Sequence, residues 1–311
     1  MQLVTDRDVE CFVQNGFLVK EDVLSPQEVE TINAEMQRFT RGEYAVSNAD
    51  ELPAVTGEND IGHQLLAVHF PHWVNSVFLE AIRQTNIVSV LSRIVGAHLP
   101  AWDGSVKAMQ SMVFMKPPGL PGQAWHQDEH FIPTRDRSLC GAWIALDDAT
   151  VDNGCLWVLP GSHRSGMLYP TRDHHQPDRF DPAPEAYDPT IADFVNFDQG
   201  SIPVPVRAGS VIFFNGHLLH SSQPNRTTDT SRRALVNHYC NAWSQLPWSV
   251  PGVESGDDYR LVVPVSGTDP YAWKGYGETP TSVFVRPLRT TSSHSGDETS
   301  APQPTRHEVL L

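Results

Sequence analysis

From Ala108 to Lys116 the chain alternates with a strand period, and it is then broken by Pro117-Pro118-Gly119-Leu120-Pro121-Gly122. Successive side chains on a strand point to opposite sides. Gln110, Met112 and Phe114 therefore share one face, and Met109, Ser111, Val113 and Met115 the other. Proline gives no N–H to a ladder and fixes φ, so a block this rich in Pro and Gly ends the strand and forces a turn. The same pattern recurs downstream. Leu139 to Leu146, Cys155 to Leu159, Ser210 to Phe214 and Arg232 to Cys240 are short apolar runs, with the turn-rich link Asp147 to Gly154 between the first two. Many short strands at turn-punctuated spacing predict a mainly β protein with a sandwich or jelly-roll barrel at its centre. The 25 prolines and 21 glycines argue the same way, against a helical bundle.

The first hundred residues read differently. Thr5 is placed to cap a short helix bearing Val9, Phe12 and Val13, with Gly16 past its end and Phe17-Leu18-Val19 as a short strand. Ser25-Pro26-Gln27-Glu28 is a capping box with Pro at the first helical position, and Val29, Ile32, Met36 and Phe39 follow as one apolar stripe. Thr85 is expected to cap a further helix carrying Ile87, Val90, Leu91 and Ile94, ended at Gly96. These helices are expected to pack on the sheet, with residues 41–60 as a loop. The expected organisation is one domain over residues 1–289. It comprises a mostly helical flank (1–100), a jelly-roll core (101–245) with a lid-like polar insertion (164–207), and a closing segment (246–289). Residues 290–311, rich in Ser, Thr, Gly and Pro, read as a disordered tail.

The formal net charge of -15 argues against nucleic acid, which needs a basic face, and against anionic membrane surfaces. No apolar run approaches the ~20 residues that span a bilayer, and the first residues have neither the basic nor the apolar stretch of a signal peptide. Cys11, Cys140, Cys155 and Cys240 are widely spaced, and three of them sit in apolar strand-like runs. Free buried thiols in a cytoplasmic protein are the expectation.

The Pro/Gly block delivers the chain into Trp125-His126-Gln127-Asp128. In an extended segment His126 and Asp128 aim an imidazole and a carboxylate at one point. That is two thirds of a 2-His-1-carboxylate set, which suits non-haem Fe(II) and leaves coordination positions open. A third ligand has two candidates, His217 and His220, both following the strand Ser210 to Phe214. If the co-substrate is 2-oxoglutarate, its far carboxylate needs a fixed buried cation, for which an Arg fork is the expected group. Arg232 and Arg233 point to opposite faces of their strand, and alternation does not choose between them.

Over residues 5–245 the chain resembles the phytanoyl-CoA dioxygenase family of Fe(II)/2-oxoglutarate-dependent oxygenases. The matching stretches are the capped opening from Thr5 to Glu28, Gln110 to Gly119, Trp125-His126-Gln127-Asp128, Gly154 to His163, His220 to Arg226 and Arg232-Arg233-Ala234. The resemblance implies a double-stranded β-helix (cupin-like) core with His126, Asp128 and His220 as iron ligands. It further implies Arg232 and Ser222 as holders of 2-oxoglutarate and Trp143 on the wall of its pocket. One departure stands out: Met112 occupies a position where some relatives carry a basic residue near the co-substrate. The implied reaction consumes O2 and 2-oxoglutarate, releases succinate and CO2, and hydroxylates a small molecule. Asp128 speaks against halogenation, because the related halogenases replace this carboxylate with a small residue. Desaturation, cyclisation or epimerisation by the same cofactors is the alternative outcome, and a non-catalytic jelly-roll binding protein is the rival class. Gln110, His130 and Phe131 are the substrate-contact candidates. His163 reads as structural, His217 as a satisfied near-core histidine, and His174-His175 as solvated.

Overall fold

The first two helices form as their caps predict. In the computed structural model, which describes residues 3–49, 65–169, 172–173, 179–180, 187–188, 200–246 and 260–287, α1 (Asp6–Asn15) has a reciprocal Thr5–Asp8 capping box and ends on Gly16 at φ 82°. Strand β1 (Phe17–Lys20) follows. The Ser25–Glu28 box opens α2 (Pro26–Thr40). After β2 (Leu65–His69) come α3 (Ser76–Ile82) and α4 (Thr85–Ile94). The cap of α4 differs from expectation: Gln84, not Thr85, accepts from Ile87 N at 2.9 Å, and Val95 rather than Gly96 is its C-terminal cap. The longer Gln84 side chain also donates to Val23 O and Glu28, so tertiary contacts set the boundary.

The strands follow in order: β3 (Val106–Lys116), β4 (Gly122–His126), β5 (Cys140–Ala145), β6 (Leu156–Val158), β7 (Arg172–Asp173), β8 (Arg179–Phe180) and β9 (Tyr187–Asp188). Then come β10 (Ile202–Val204), β11 (Val211–Asn215), β12 (His220–Ser222), β13 (Arg232–Asn241), β14 (Val263–Ser266) and β15 (Phe284–Pro287). The larger sheet runs β1-β11-β5-β13-β3-β2-β15, with β14 also on β3; the smaller runs β10-β6-β12-β4-β8, and β7 pairs with β9. Pairing is antiparallel except between β4 and β8. This is the mainly β, jelly-roll architecture with flanking helices that the strand pattern implies. Strand β2 has no counterpart among the expected elements. Among the described residues no helix is long and apolar enough to cross a membrane.

The larger sheet is buried on both faces. Its outer face (Val113, Ile144, Phe213, Leu235, Tyr239) packs against the helix stripes of Phe12, Ile32, Met36, Phe78, Ile87 and Leu91. Its inner face (Trp143, Ile212, Phe214, Ala234, Val236) packs against Leu156 and Val158 of the smaller sheet. The expected alternation in β3 breaks at one point. His238 pairs with Gln110 but Tyr239 with Ala108, leaving Met109 as an extra residue. Met109 therefore does not share the face of Val113 and Met115; it packs with Leu139, Cys240 and Leu246. Most of the 164–207 insertion and the whole of 290–311 lie outside the described residues.

At the start of β4 the backbone of β12 comes so close that a Cβ on Gly122 would overlap the Ser222 carbonyl oxygen. Gly122→Ala is expected to pry β4 from β12 and to lower stability by about 1–3 kcal/mol, read as a shifted midpoint in urea unfolding.

Candidate metal centre

Strand β4 carries His126 at its end, and β12 returns antiparallel beside it with His220 directly opposite. Directly opposed residues share a face, so both imidazoles project inward, with ring centroids 4.1 Å apart. After Gln127 the chain turns into a single 3-10 turn, Asp128–His130. Asp128 Oδ1 lies 3.5 Å from His126 Nε2 and 3.6 Å from His220 Nε2. One atom from each residue falls within a 4.8 Å cluster, the spacing of ligands around one ion. Gln127 fastens the turn from outside: its Nε2 donates to His217 O and Met167 O, and its Oε1 accepts from Tyr169 N.

The ring orientations suit a metal. His126 Nδ1 lies 2.8 Å from Ala124 O and His220 Nδ1 3.0 Å from Leu218 O. A carbonyl only accepts, so each Nδ1 carries the proton and each Nε2 presents its lone pair to the cluster. Gln123 Nε2 sits 3.2 Å from His126 Nε2, a contact that a metal on that nitrogen would replace. Burial, then the neighbouring His126, pushes His220 down to about 4. Burial alone would raise Asp128, but His220, His126 and His238 together hold its carboxyl well below the usual range. One neutral donor, a fixed second and an ionised carboxylate are the donor set that Fe(II) takes in such triads.

The third histidine of the centre was not visible as such in the sequence. His238 Nε2 lies 2.9 Å from Asp128 Oδ2. It occupies one carboxylate oxygen and leaves Oδ1 to face the two rings. The available signal was its position on the same strand face as Arg232. The bulge at Met109 sits beside His238, as bulges often do where a side chain must be re-aimed.

The co-substrate side lies across the sandwich, on the inner face of the larger sheet. Arg232 is 4 % exposed, while Arg233 turns outward into a two-pronged ion pair with Asp147. Tertiary structure thus makes the choice that alternation leaves open. Arg232 Nε is buried with no hydrogen-bond partner, and its guanidinium stands 5.4 Å from the centre of the buried Trp143 ring. A buried guanidinium lacking an anion fits a carboxylate arriving from outside. Lys116, which the sequence left without a role, lies opposite Arg232 in the ladder, and its Nζ donates to the Oγ of the buried Ser222, two residues from His220.

The remaining candidates are more dispersed. Gln110 is buried beside His69, Nε2 to Nδ1 3.4 Å. Phe131 is exposed and sets its ring 6.3 Å from that of His126, with His130 edge-on behind it at 5.3 Å. His163 is structural, its Nε2 3.0 Å from Val13 O. His217 is buried, but its Nδ1 has no hydrogen bond; Glu129 Oε2 lies 3.7 Å away. His174 and His175 lie outside the described residues.

The sequence model of the family described as "Phytanoyl-CoA dioxygenase (PhyH)" matches residues 12–234. The chain belongs to that family, whose members are Fe(II)/2-oxoglutarate-dependent oxygenases, and the triad fits its iron site. "Phytanoyl-CoA dioxygenase domain-containing protein 1" of Danio rerio is 27% identical over 301 residues, covering 80% of this chain and 95% of the relative. The Rattus norvegicus protein of the same name is 32% identical over 226 residues, 70% of each chain. Among solved structures, the epimerase SnoN in complex with Fe3+, alpha ketoglutarate and nogalamycin RO superposes with a TM-score of 0.61 at 20% identity, covering 85% of this chain and 96% of that one. The carbocyclase SnoK superposes at 0.58 and 23% identity, covering 85% and 94%. At these identities the likeness is one of fold.

Two outcomes are expected. Replacing His238 with Phe frees Asp128 Oδ2 and should weaken Fe(II) binding about 10–100-fold, measured by metal titration. His220, at about 4, and the buried His72, at about 3, titrate below their ordinary 6.5 when folded. Groups depressed in this way contribute stability above pH 6.5 that is lost as pH falls. The melting temperature of the metal-free protein should drop steadily from pH 6.5 towards 4.

Proposed function

We propose that this protein hydroxylates a C–H bond of a small-molecule metabolite, using Fe(II), O2 and 2-oxoglutarate and releasing succinate and CO2. The observation that carries the reading is the placement of two buried groups inside the sandwich, on its facing sheets: the His126–Asp128–His220 cluster and the guanidinium of Arg232, whose Nε has no hydrogen-bond partner. In this reading His126, Asp128 and His220 hold the metal from one side. Arg232 and the Ser222 hydroxyl receive the far carboxylate of 2-oxoglutarate, and Trp143 walls the same pocket. Bound iron and its co-substrates supply the oxidising power. The chain supplies orientation, and the apolar inner faces of the two sheets keep water out. Gln110, His130 and Phe131 are the residues proposed to meet the substrate. With Asp128 in place the product gains oxygen rather than halogen. Residues 1–289 are read as one oxygenase domain, since a single sheet takes in strands from Phe17 to Pro287. The free cysteines fit a reducing compartment such as the cytoplasm.

The test is succinate formation that requires both Fe(II) and 2-oxoglutarate, with a product one oxygen heavier than the substrate. His126→Ala should abolish it with the fold intact by circular dichroism; unchanged turnover would sink the proposal. Arg232→Leu should remove 2-oxoglutarate binding. Arg233→Leu, which breaks only a partly exposed ion pair, should leave binding intact and change stability by at most about 1 kcal/mol.

A further inference from the structure

Lys116 ends β3 directly opposite Arg232, the first residue of β13. Opposed residues share a face, so two cationic side chains enter the interior side by side, at 6 % and 4 % exposure. No carboxylate among the described residues forms an ion pair with either one. Burial, and then the charge of Arg232, pull the Lys116 ammonium well below its ordinary range, as expected for a cation without a counter-ion. Lys116 Nζ donates instead to neutral acceptors, Ser222 Oγ at 2.8 Å and Gln223 O at 2.7 Å. Gly154 keeps this position open: a Cβ there would overlap Gln223 O and stand 3.1 Å from Lys116 Nζ.

The hydrogen-bond count at Ser222 follows. Its Oγ accepts from Lys116 Nζ and also from Gln123 N at 3.1 Å. A hydroxyl has two acceptor lone pairs and one donor. Both lone pairs are taken, so the Ser222 O–H must donate, and it has no acceptor among the described residues. A hydroxyl left free to rotate could offer an arriving carboxylate either a proton or a lone pair; this one offers only the proton. Lys116 also retains one N–H beyond the two it uses.

We propose that Lys116 is a positioning residue of the co-substrate pocket, fixing Ser222 as an obligate donor and adding a second positive charge beside Arg232 for the far carboxylate of the 2-oxo acid. This rests on the functional reading above and deepens it.

The experiment measures binding to the Fe(II)-loaded protein without oxygen, by absorbance titration and calorimetry, for 2-oxoglutarate and for 2-oxobutyrate, which has the same 2-oxo acid end but no far carboxylate. Lys116→Met should weaken 2-oxoglutarate about tenfold or more, the scale of a hydrogen bond to a charged group, and leave 2-oxobutyrate unchanged. In the Lys116→Met background, Ser222→Ala should weaken 2-oxoglutarate less than it does in the wild-type protein. Should Lys116→Met not fold, Lys116→Gln takes its place in the same comparisons. Unaltered 2-oxoglutarate binding, equal losses for both ligands, or additive effects of the Lys116 and Ser222 changes would each overturn the assignment. Wild-type protein that binds no 2-oxoglutarate would instead refute the functional reading itself.

Discussion

The backbone pairing of β12 with β4 is the constraint on which the centre depends. Two histidines 94 positions apart in the chain become neighbours because His220 lies opposite His126 in that ladder. A slip of one residue would turn both the His220 ring and the Ser222 hydroxyl to the other face. The register is held by Gly122, which lets the two backbones meet, and by Ser222 Oγ, which accepts from Gln123 N. It is held on the other side by β6, which pairs with β12 through Val158, Trp157 and Leu156. The metal cluster is therefore a product of ordinary sheet chemistry.

The second structural theme is a polar lining inside an apolar sandwich. Burying a charge is costly unless it is paired. Most buried charges here are paired: Asp128 with its histidines, and Arg260 with Asp269. Among the described residues Arg232 and Lys116 form no ion pair with a carboxylate, and they are adjacent. A fold that keeps two cations buried without an anion is less stable than it would be with one, and that difference becomes binding energy when a carboxylate arrives. The larger sheet tolerates such a lining because its other face is welded to the helices through a separate core. Stability and site are thus carried by opposite faces of the same strands.

Much of the fold was legible because it rests on local rules. The Thr5 and Ser25 capping boxes, the stripe from Val29 to Phe39, and the Pro/Gly block after β3 state their structures directly. The His126–Asp128 pair was legible for the same reason, since two residues on a strand end share a side whatever surrounds them. The cap of α4 was misjudged because Gln84 wins through contacts with Val23 and Glu28, more than fifty residues away. The strand β2 was missed because its pairing with β3 and β15 is wholly non-local.

What the sequence determined by itself, then, is the alternation, the turns and the types of side chain that could reach a metal or a carboxylate. Its likeness to a family supplied the order in which those residues combine. It did not determine which of two adjacent arginines faces inward. Alternation is symmetric, and only the packing of Ala234 and Val236 against the smaller sheet, with Asp147 waiting outside for Arg233, breaks the tie. Nor did it reveal His238 on Asp128 or Lys116 on Ser222. Those contacts join residues about 110 and 106 positions apart through a strand register and a bulge, and register is a property of the assembled sheets, set by what each face must bury.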